Sequence, residues 1–204
     1  MKKTIICNIP MKENPDRNVQ ELTIKSLPAS DRAVIYPINA HLEETLKADD
    51  ELKIILLVKN DEKGYYKENI EAFKAEFEAV NKVNAKAEYK ILETAFSEEQ
   101  QVHEQLMCDI VDEIEPETYV LTDITYGPKD LPIIVFATLA FIEKHLGCDI
   151  EHVIYGQGAF ENGKAVSSKI CDLVALLYMV TVTSTIRPTN PETSKKLLKS
   201  MISF

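Results

Sequence analysis

The sequence has no run of about 18 to 20 apolar residues, the length that a membrane-spanning helix needs. The apolar stretch behind Lys2 and Lys3 is too short for a secretory signal peptide, and no small-residue cleavage site follows it. We therefore expect a cytoplasmic protein with no membrane partner.

The sequence also lacks the spaced cysteine and histidine pairs that mark metal sites and redox motifs. None of its cysteines forms a CxxC pair, and its histidines are equally dispersed. We expect free thiols in a reducing compartment, and no metal site. The residues are Cys7, Cys108, Cys148, Cys171, His41, His103, His145 and His152.

Phosphate-binding glycine motifs are missing as well. There is no Walker loop and no GxGxxG fingerprint, and Gly156-Gln157-Gly158 lacks the third glycine. A nucleoside triphosphate or dinucleotide cofactor therefore has no support, and we expect no cofactor.

The net charge of −10 is unevenly distributed along the chain. Residues 61–117 hold 16 acids and 6 bases, whereas the remainder holds 17 of each. This balance argues against a groove for long nucleic acid, but it leaves room for a small anionic ligand near the neutral segments.

Apolar patterning predicts strands that alternate with helices, which is typical of an α/β, Rossmann-like fold. We expect a mainly parallel sheet with helices on both faces and a C-terminal β-hairpin turning at Asn162-Gly163. Residues 1–186 are expected to form the ligand-binding domain, and 187–204 a linker with a short helix. Predicted strands cover 4–8, 51–61, 86–96, 119–121 and the hairpin 150–170; predicted helices begin near 38, 68, 97, 131 and 171.

Two connections are unusual at the carboxyl edge of this sheet, where such folds bind ligands. They are residues 8–12 and 125–130. In the second, Gly127 permits close backbone approach, Pro132 suits the first turn of a helix, and Lys129 adds a cation. An ordinary turn in which Asp130 caps the helix explains the same residues.

The helix predicted over 131–146 is apolar on nearly every side, although a surface helix normally has a polar stripe. Either the domain encloses it, or its outer side packs on a second subunit. We expect a homodimer, which would bring two copies of the 125–130 turn together in a twofold site.

Asp123-Ile124-Thr125-Tyr126-Gly127 resembles the DxTHG motif of CRISPR-associated Rossmann-fold (CARF) proteins. Residues 36–61 and 153–177 are similar to further segments of that family, so the resemblance spans about residues 4–180. Tyr126 stands where the family motif has histidine.

The resemblance implies a homodimer that binds cyclic oligoadenylate, of four or six nucleotides, across its twofold axis. Such proteins are sensors in type III CRISPR antiviral signalling, and they act on an effector domain or subunit. The implied ligand-binding residues, together with Asn39 and Thr122 as further candidates, are Asn8, Ile9, Pro10, Met11, Thr125, Tyr126, Gly127 and Lys129.

Two other functions stay open on sequence grounds. One is a metal-independent ring nuclease, in which a ribose 2′-hydroxyl attacks the neighbouring phosphorus and the ester bond to the next nucleotide breaks, which gives linear products with a 2′,3′-cyclic phosphate. Lys129 and Thr125 would be its catalytic residues, with Lys12 and Tyr126 as additional candidates. The other is an unrelated flavodoxin-like, nucleotide-binding protein that uses the same crevice.

Overall fold

The protein is described from a computed structural model that covers residues 1–11, 34–60, 62–161, 164–187 and 190–202. Lys12 and the turn expected at Asn162-Gly163 lie outside the described residues.

Among the described residues, six strands form one sheet. In chain order they are β1 (Lys2–Asn8), β2 (Glu51–Asn60), β3 (Lys86–Ala95), β4 (Tyr119–Asp123), β5 (Asp149–Glu161) and β6 (Lys164–Asp172). Their order in the sheet is β3-β2-β1-β4-β5-β6. All neighbouring pairs are parallel except β5 and β6, which form the expected antiparallel hairpin. The predicted Rossmann-like α/β fold is confirmed.

Six helices are described: the first four in chain order connect the strands and cover both faces of the sheet, and the last two follow the last strand. They are α1 (Pro37–Thr45), α2 (Tyr66–Val80), α3 (Gln100–Asp112), α4 (Asp130–Leu146), α5 (Val174–Thr185) and α6 (Pro191–Ile202). Helices α1 and α2 share a core with Ile54, Leu56 and Val58, whereas α3 and α4 pack together. Because side chains alternate along a strand, Ile55 and Leu57 point to the α3–α4 face.

The central strands are buried because neighbours and helices cover them on all sides. Residues 54–58 have no exposed surface, as the uninterrupted apolar run predicts. Strand β4 continues to Asp123, two residues past its predicted end, because its ladders to β1 and β5 continue.

Helix ends follow the predicted signals only in part. Gly147 ends α4 with φ 66°, the left-handed conformation that glycine adopts without strain. The helix predicted to begin near residue 97 begins at Gln100, and Ser97 Oγ accepts a local hydrogen bond from the Glu99 amide. Asp130 does not cap α4, because it is the first residue inside the helix.

The chain divides into two compact units, residues 1–174 and 175–204. The functional boundary expected after residue 186 stays a prediction, because a division by contacts does not locate a ligand-binding region. No described helix is both long enough and apolar enough to cross a membrane.

Candidate functional site

The two loops singled out by the sequence meet at the topological switch point of the sheet. Strands β1 and β4 are neighbours, but the chain leaves β1 toward β2 on one side and leaves β4 toward β5 on the other. Connections that diverge in this way leave a crevice at the carboxyl ends of the strands, where α/β folds bind ligands. A Cβ placed on Gly127 would lie 3.7 Å from the Cβ of Asn8, so the two loops are in contact.

Asn8 is the most unusual residue of this crevice. Its side chain is completely buried, and neither its amide nitrogen nor its amide oxygen has a hydrogen-bond partner among the described residues. An unpaired buried polar group costs about 1–3 kcal/mol, so such a group calls for an explanation. A ligand that pairs with this amide supplies one.

The residues that follow Asn8 are held by the protein itself. The Ile9 amide donates to the Leu57 carbonyl at 2.9 Å, and the Pro10 carbonyl accepts from Asn69 Nδ2 at 2.8 Å. Ile9 and Pro10 are buried, and Met11 is half-buried. The loop therefore contributes a rigid backbone around one unpaired side chain.

Gly127 shapes the second loop. Its φ is 91°, and a Cβ at this position would lie 2.8 Å from Cδ1 of Leu131. Only glycine fits this conformation and this close approach without strain. The next residues begin α4, whose N-cap Lys129 forms no side-chain capping bond and is exposed. Lys129 forms no ion pair with any described residue.

The hydroxyl groups expected to face a ligand are used within the protein. Thr122 donates to the Ile6 carbonyl at 3.0 Å, and Tyr126 donates to the Ile35 carbonyl at 2.7 Å. Thr125 Oγ accepts from the Gly156 amide at 2.8 Å and also bonds to the Asp123 carboxylate. These side chains fix the shape of the loop.

Tyr126 is poorly suited to act as a base. Burial raises the pKa of its phenol above the usual value, and the nearby Asp123 and Glu76 carboxylates raise it further. Its ring also packs edge-on against Tyr36, with centroids 5.8 Å apart. Tyr126 is therefore neutral and fixed in place at physiological pH.

The N-terminus of α1, on the other side of the crevice, is occupied by carboxylates. Glu76 accepts bonds from the amides of Ile35 and Tyr36, at 2.6 and 3.0 Å. Asp123 accepts from the Ile38 amide at 2.9 Å. Both carboxylates would repel an anion here, so the start of α4 is the helix terminus left for a phosphate.

Asn39 lies within this occupied end of α1. The N-cap of α1 is Tyr36, so Asn39 is not the capping residue. Its side chain is buried and donates from Nδ2 to Glu76 at 3.0 Å. The contact with Glu76 ties Asn39 to the scaffold of the crevice.

Asp123 joins the two sides of the site, and sequence reasoning did not include it among the site residues. Its carboxylate accepts from the amides of Thr125 at 2.9 Å and Ile38 at 2.9 Å. Burial raises the pKa of this carboxyl to about 6, although the hydrogen bonds from Thr125 and Ile38 oppose the shift. Its position as the first residue of the motif was the signal that could have revealed it.

A second group missed by sequence reasoning lies beside the start of α4. Lys59 has no exposed side-chain surface, and its Nζ lies 2.7 Å from Asp130 Oδ2 and 3.2 Å from the Ser97 carbonyl. His103 Nε2 lies 3.3 Å from the same oxygen of Asp130 and 3.6 Å from Glu98. A lysine two positions beyond Leu57 on the buried face of a strand was the available signal.

Glu98, His103 and Asp130 could in principle share a metal ion, since their ligand atoms lie within 4.8 Å of one another. The buried ammonium of Lys59 already lies beside the Asp130 carboxylate and compensates its negative charge. A metal cation would also meet the positive end of α4. We therefore assign these residues to a polar cluster around the ion pair of Lys59 and Asp130.

No protein-family model matches this chain, and no curated protein matches its sequence. Function is therefore inferred from the geometry of the crevice together with the motif at residues 123–127.

Asp123 makes folding stability depend on pH in a defined direction. Its pKa is about 6 in the folded protein, against 3.8 as the ordinary value, so the folded state binds the proton more tightly. This contribution to stability is complete below pH 3.8 and is lost as the pH rises through 6. We expect the free energy of unfolding, relative to Asp123→Asn, to fall by roughly 2 kcal/mol between pH 4 and pH 7.

Urea unfolding followed by circular dichroism measures this difference. The asparagine variant is the matched reference because it keeps the size of the side chain and cannot titrate. A difference that stays constant or increases over this range would show that Asp123 is not a buried carboxyl with a raised pKa.

Proposed function

We propose that the protein is a CARF-like sensor domain that binds cyclic oligoadenylate at the β1–β4 switch point, as a homodimer in type III CRISPR antiviral signalling. The observation that carries the proposal is the buried amide of Asn8, which has no partner among the described residues. It lies against Gly127 of the motif.

The electrostatics of the crevice support an anionic ligand at α4. The start of this helix contributes a partial positive charge, worth about 0.3–1 kcal/mol for an anion. Lys129 adds an exposed ammonium at the same place. A phosphate at α4 and a nucleoside group near Asn8 would use both features.

Binding is better supported than cleavage. Cleavage of the ring needs groups that contact the reacting atoms and stabilise the charge that develops on them. The hydroxyls of Thr125 and Tyr126 are already bonded to the protein, and a neutral phenol of raised pKa is a poor base. Lys129 alone keeps an uncommitted polar group among the three, which suits phosphate binding.

The outer side of α4 supports the homodimer. The buried side of the helix faces the sheet and α3, yet Ile133 is 71% exposed and Phe141 38% exposed. Between them Phe136, Ala137 and Ala140 continue an apolar stripe at helical spacing, and the two alanines permit close approach. A second copy of the same stripe is the partner that fits it by symmetry.

The direct test is incubation with cyclic tetra- and hexa-adenylate, followed by chromatography of the nucleotide. We expect one ring to be retained intact, because the crevice binds phosphate without a free catalytic hydroxyl. Linear products would instead establish the ring nuclease, and no retention of either ring would reject both. Lys129→Ala should weaken binding at least tenfold in calorimetry, whereas Lys86→Ala, at the opposite edge of the sheet, should not.

Asn8→Leu should change stability and binding in opposite directions. Leucine removes an unpaired buried amide at similar size, so we expect the free energy of unfolding to rise by about 1–2 kcal/mol. Ligand affinity should fall at least tenfold. The control is Asn81→Leu, which should destabilise the protein because the Asn81 amide bonds to the backbone of Ala85 in both directions. Loss of stability in Asn8→Leu would contradict the assignment.

The dimer can be tested by sedimentation velocity over a range of concentrations. We expect wild type to associate and Ile133→Asp to be monomeric, because a charge in the centre of an apolar interface is costly. Val83→Asp is the control, since Val83 is also exposed but lies outside α4. A wild type that stays monomeric at every concentration would remove the twofold site.

A further inference from the structure

We infer that Lys59 is a fixed, buried positive charge that makes the start of α4 able to accept a phosphate. This inference rests on the proposed function in placing an anion at α4. It adds a specificity-determining residue that does not belong to either ligand-binding loop.

The first turn of α4 poses an electrostatic problem. Asp130 is the first residue of the helix, where a carboxylate is favourable for the helix itself. The same carboxylate is adjacent to Lys129 in the chain and would repel a phosphate bound there. An anion site at this terminus therefore needs a compensating charge.

Lys59, on β2, supplies that charge from the sheet side of α4. It follows Leu57 by two residues on β2, so its side chain lies on the α3–α4 face of the sheet. Its Nζ contacts Asp130 Oδ2 at 2.7 Å, and its other polar contact in the described part of the chain is the neutral Ser97 carbonyl at 3.2 Å. Lysine is almost never fully buried unless it is paired, and here its partner is the first residue of α4.

Besides Lys129, the ionisable side chains that the described residues place beside this pair are His103 and Glu98. Glu98 is 69% exposed and well solvated, and the His103 side chain is 28% exposed. Solvent screens exposed charges far more than buried ones. Lys59 and Asp130 therefore dominate the local field.

Asn8 independently indicates a ligand at this place. It pairs in register with Leu57, so Asn8 and Lys59 point to the same face, with Cα atoms about 8 Å apart by strand geometry. The fully buried amide of Asn8 has no partner in the described part of the chain. An unpaired amide and a buried ammonium thus lie on one face, below the same loop.

A structural role and an electrostatic role of the Lys59–Asp130 ion pair predict different effects on anion affinity. If the ion pair only braces α4, removal of either partner weakens the protein and the site together. If Lys59 sets the charge of the site, its removal lowers anion affinity, whereas removal of the Asp130 charge raises it. The two partners then have opposite effects on binding and the same effect on stability.

The test measures affinity by calorimetry for Lys59→Met, Asp130→Asn and the double variant, with cyclic tetra-adenylate, cyclic hexa-adenylate and inorganic phosphate as probes. We expect Lys59→Met to bind at least fivefold more weakly and Asp130→Asn at least threefold more tightly. The double variant should return to within twofold of wild type. If Lys59→Met does not fold, the affinities of Asp130→Asn and of the double variant still distinguish an electrostatic role of Lys59 from a structural one.

The pair Lys3 and Asp50 is a matched control. It is a buried Lys–Asp ion pair at 2.9 Å, with exposures of 6% and 0%, at the amino end of the same sheet. Lys3→Met and Asp50→Asn should cost similar stability and leave all affinities within twofold of wild type. A similar change in affinity in both pairs would overturn a local role for Lys59.

The probes separate the two proposals. One outcome is that the protein binds phosphate, with the expected changes in affinity among the variants, but neither cyclic oligoadenylate. That result would support the role of Lys59 and reject the oligoadenylate ligand. Weaker binding in both Asp130→Asn and the double variant would reject the role of Lys59 and leave the ligand proposal standing. A wild type that binds none of the three probes would overturn both.

Discussion

The buried carboxylate of Asp123 is the interaction on which the arrangement of the site depends. One oxygen holds the Thr125 amide of the β4–α4 loop, and the other holds the Ile38 amide at the start of α1. These two segments lead into helices on opposite faces of the sheet, so a single group ties the two sides of the site together. Burial opposes the charge of this group and raises the pKa of its carboxyl. Its acceptor bonds offset part of the cost.

The same carboxylate divides the roles of the two helices that begin at this edge. Asp123 and Glu76 satisfy the start of α1, so this terminus is closed to anions. The first residue of α4, Asp130, is also acidic, but its carboxylate forms an ion pair with Lys59 on the sheet side of the helix. One helix terminus is therefore part of the scaffold, and the other is directed at the crevice.

The strands, the order of helices and the place of the two loops at the carboxyl edge of the sheet could be predicted from local patterns. Apolar runs and alternation identify the strands, and Gly127 marks the turn because only glycine fits its conformation. The roles of individual side chains could not be predicted in this way. Thr125 and Tyr126 were expected to face a ligand, yet Gly156 and Ile35, distant in sequence, engage their hydroxyls. Such pairings depend on which backbone groups the fold brings within hydrogen-bond reach.

By itself the sequence determined the α/β class, the apolar character of α4 and the two loops at the carboxyl edge, because periodicity and glycine conformation are local properties. Only the tertiary structure decided that Asn8 is buried without a partner in the described chain, that Lys59 lies under Asp130, and that α1 is closed by carboxylates. Burial and ion pairing depend on residues far apart in the chain. The physical reason is that the free energy of a polar group is set by its neighbours in space.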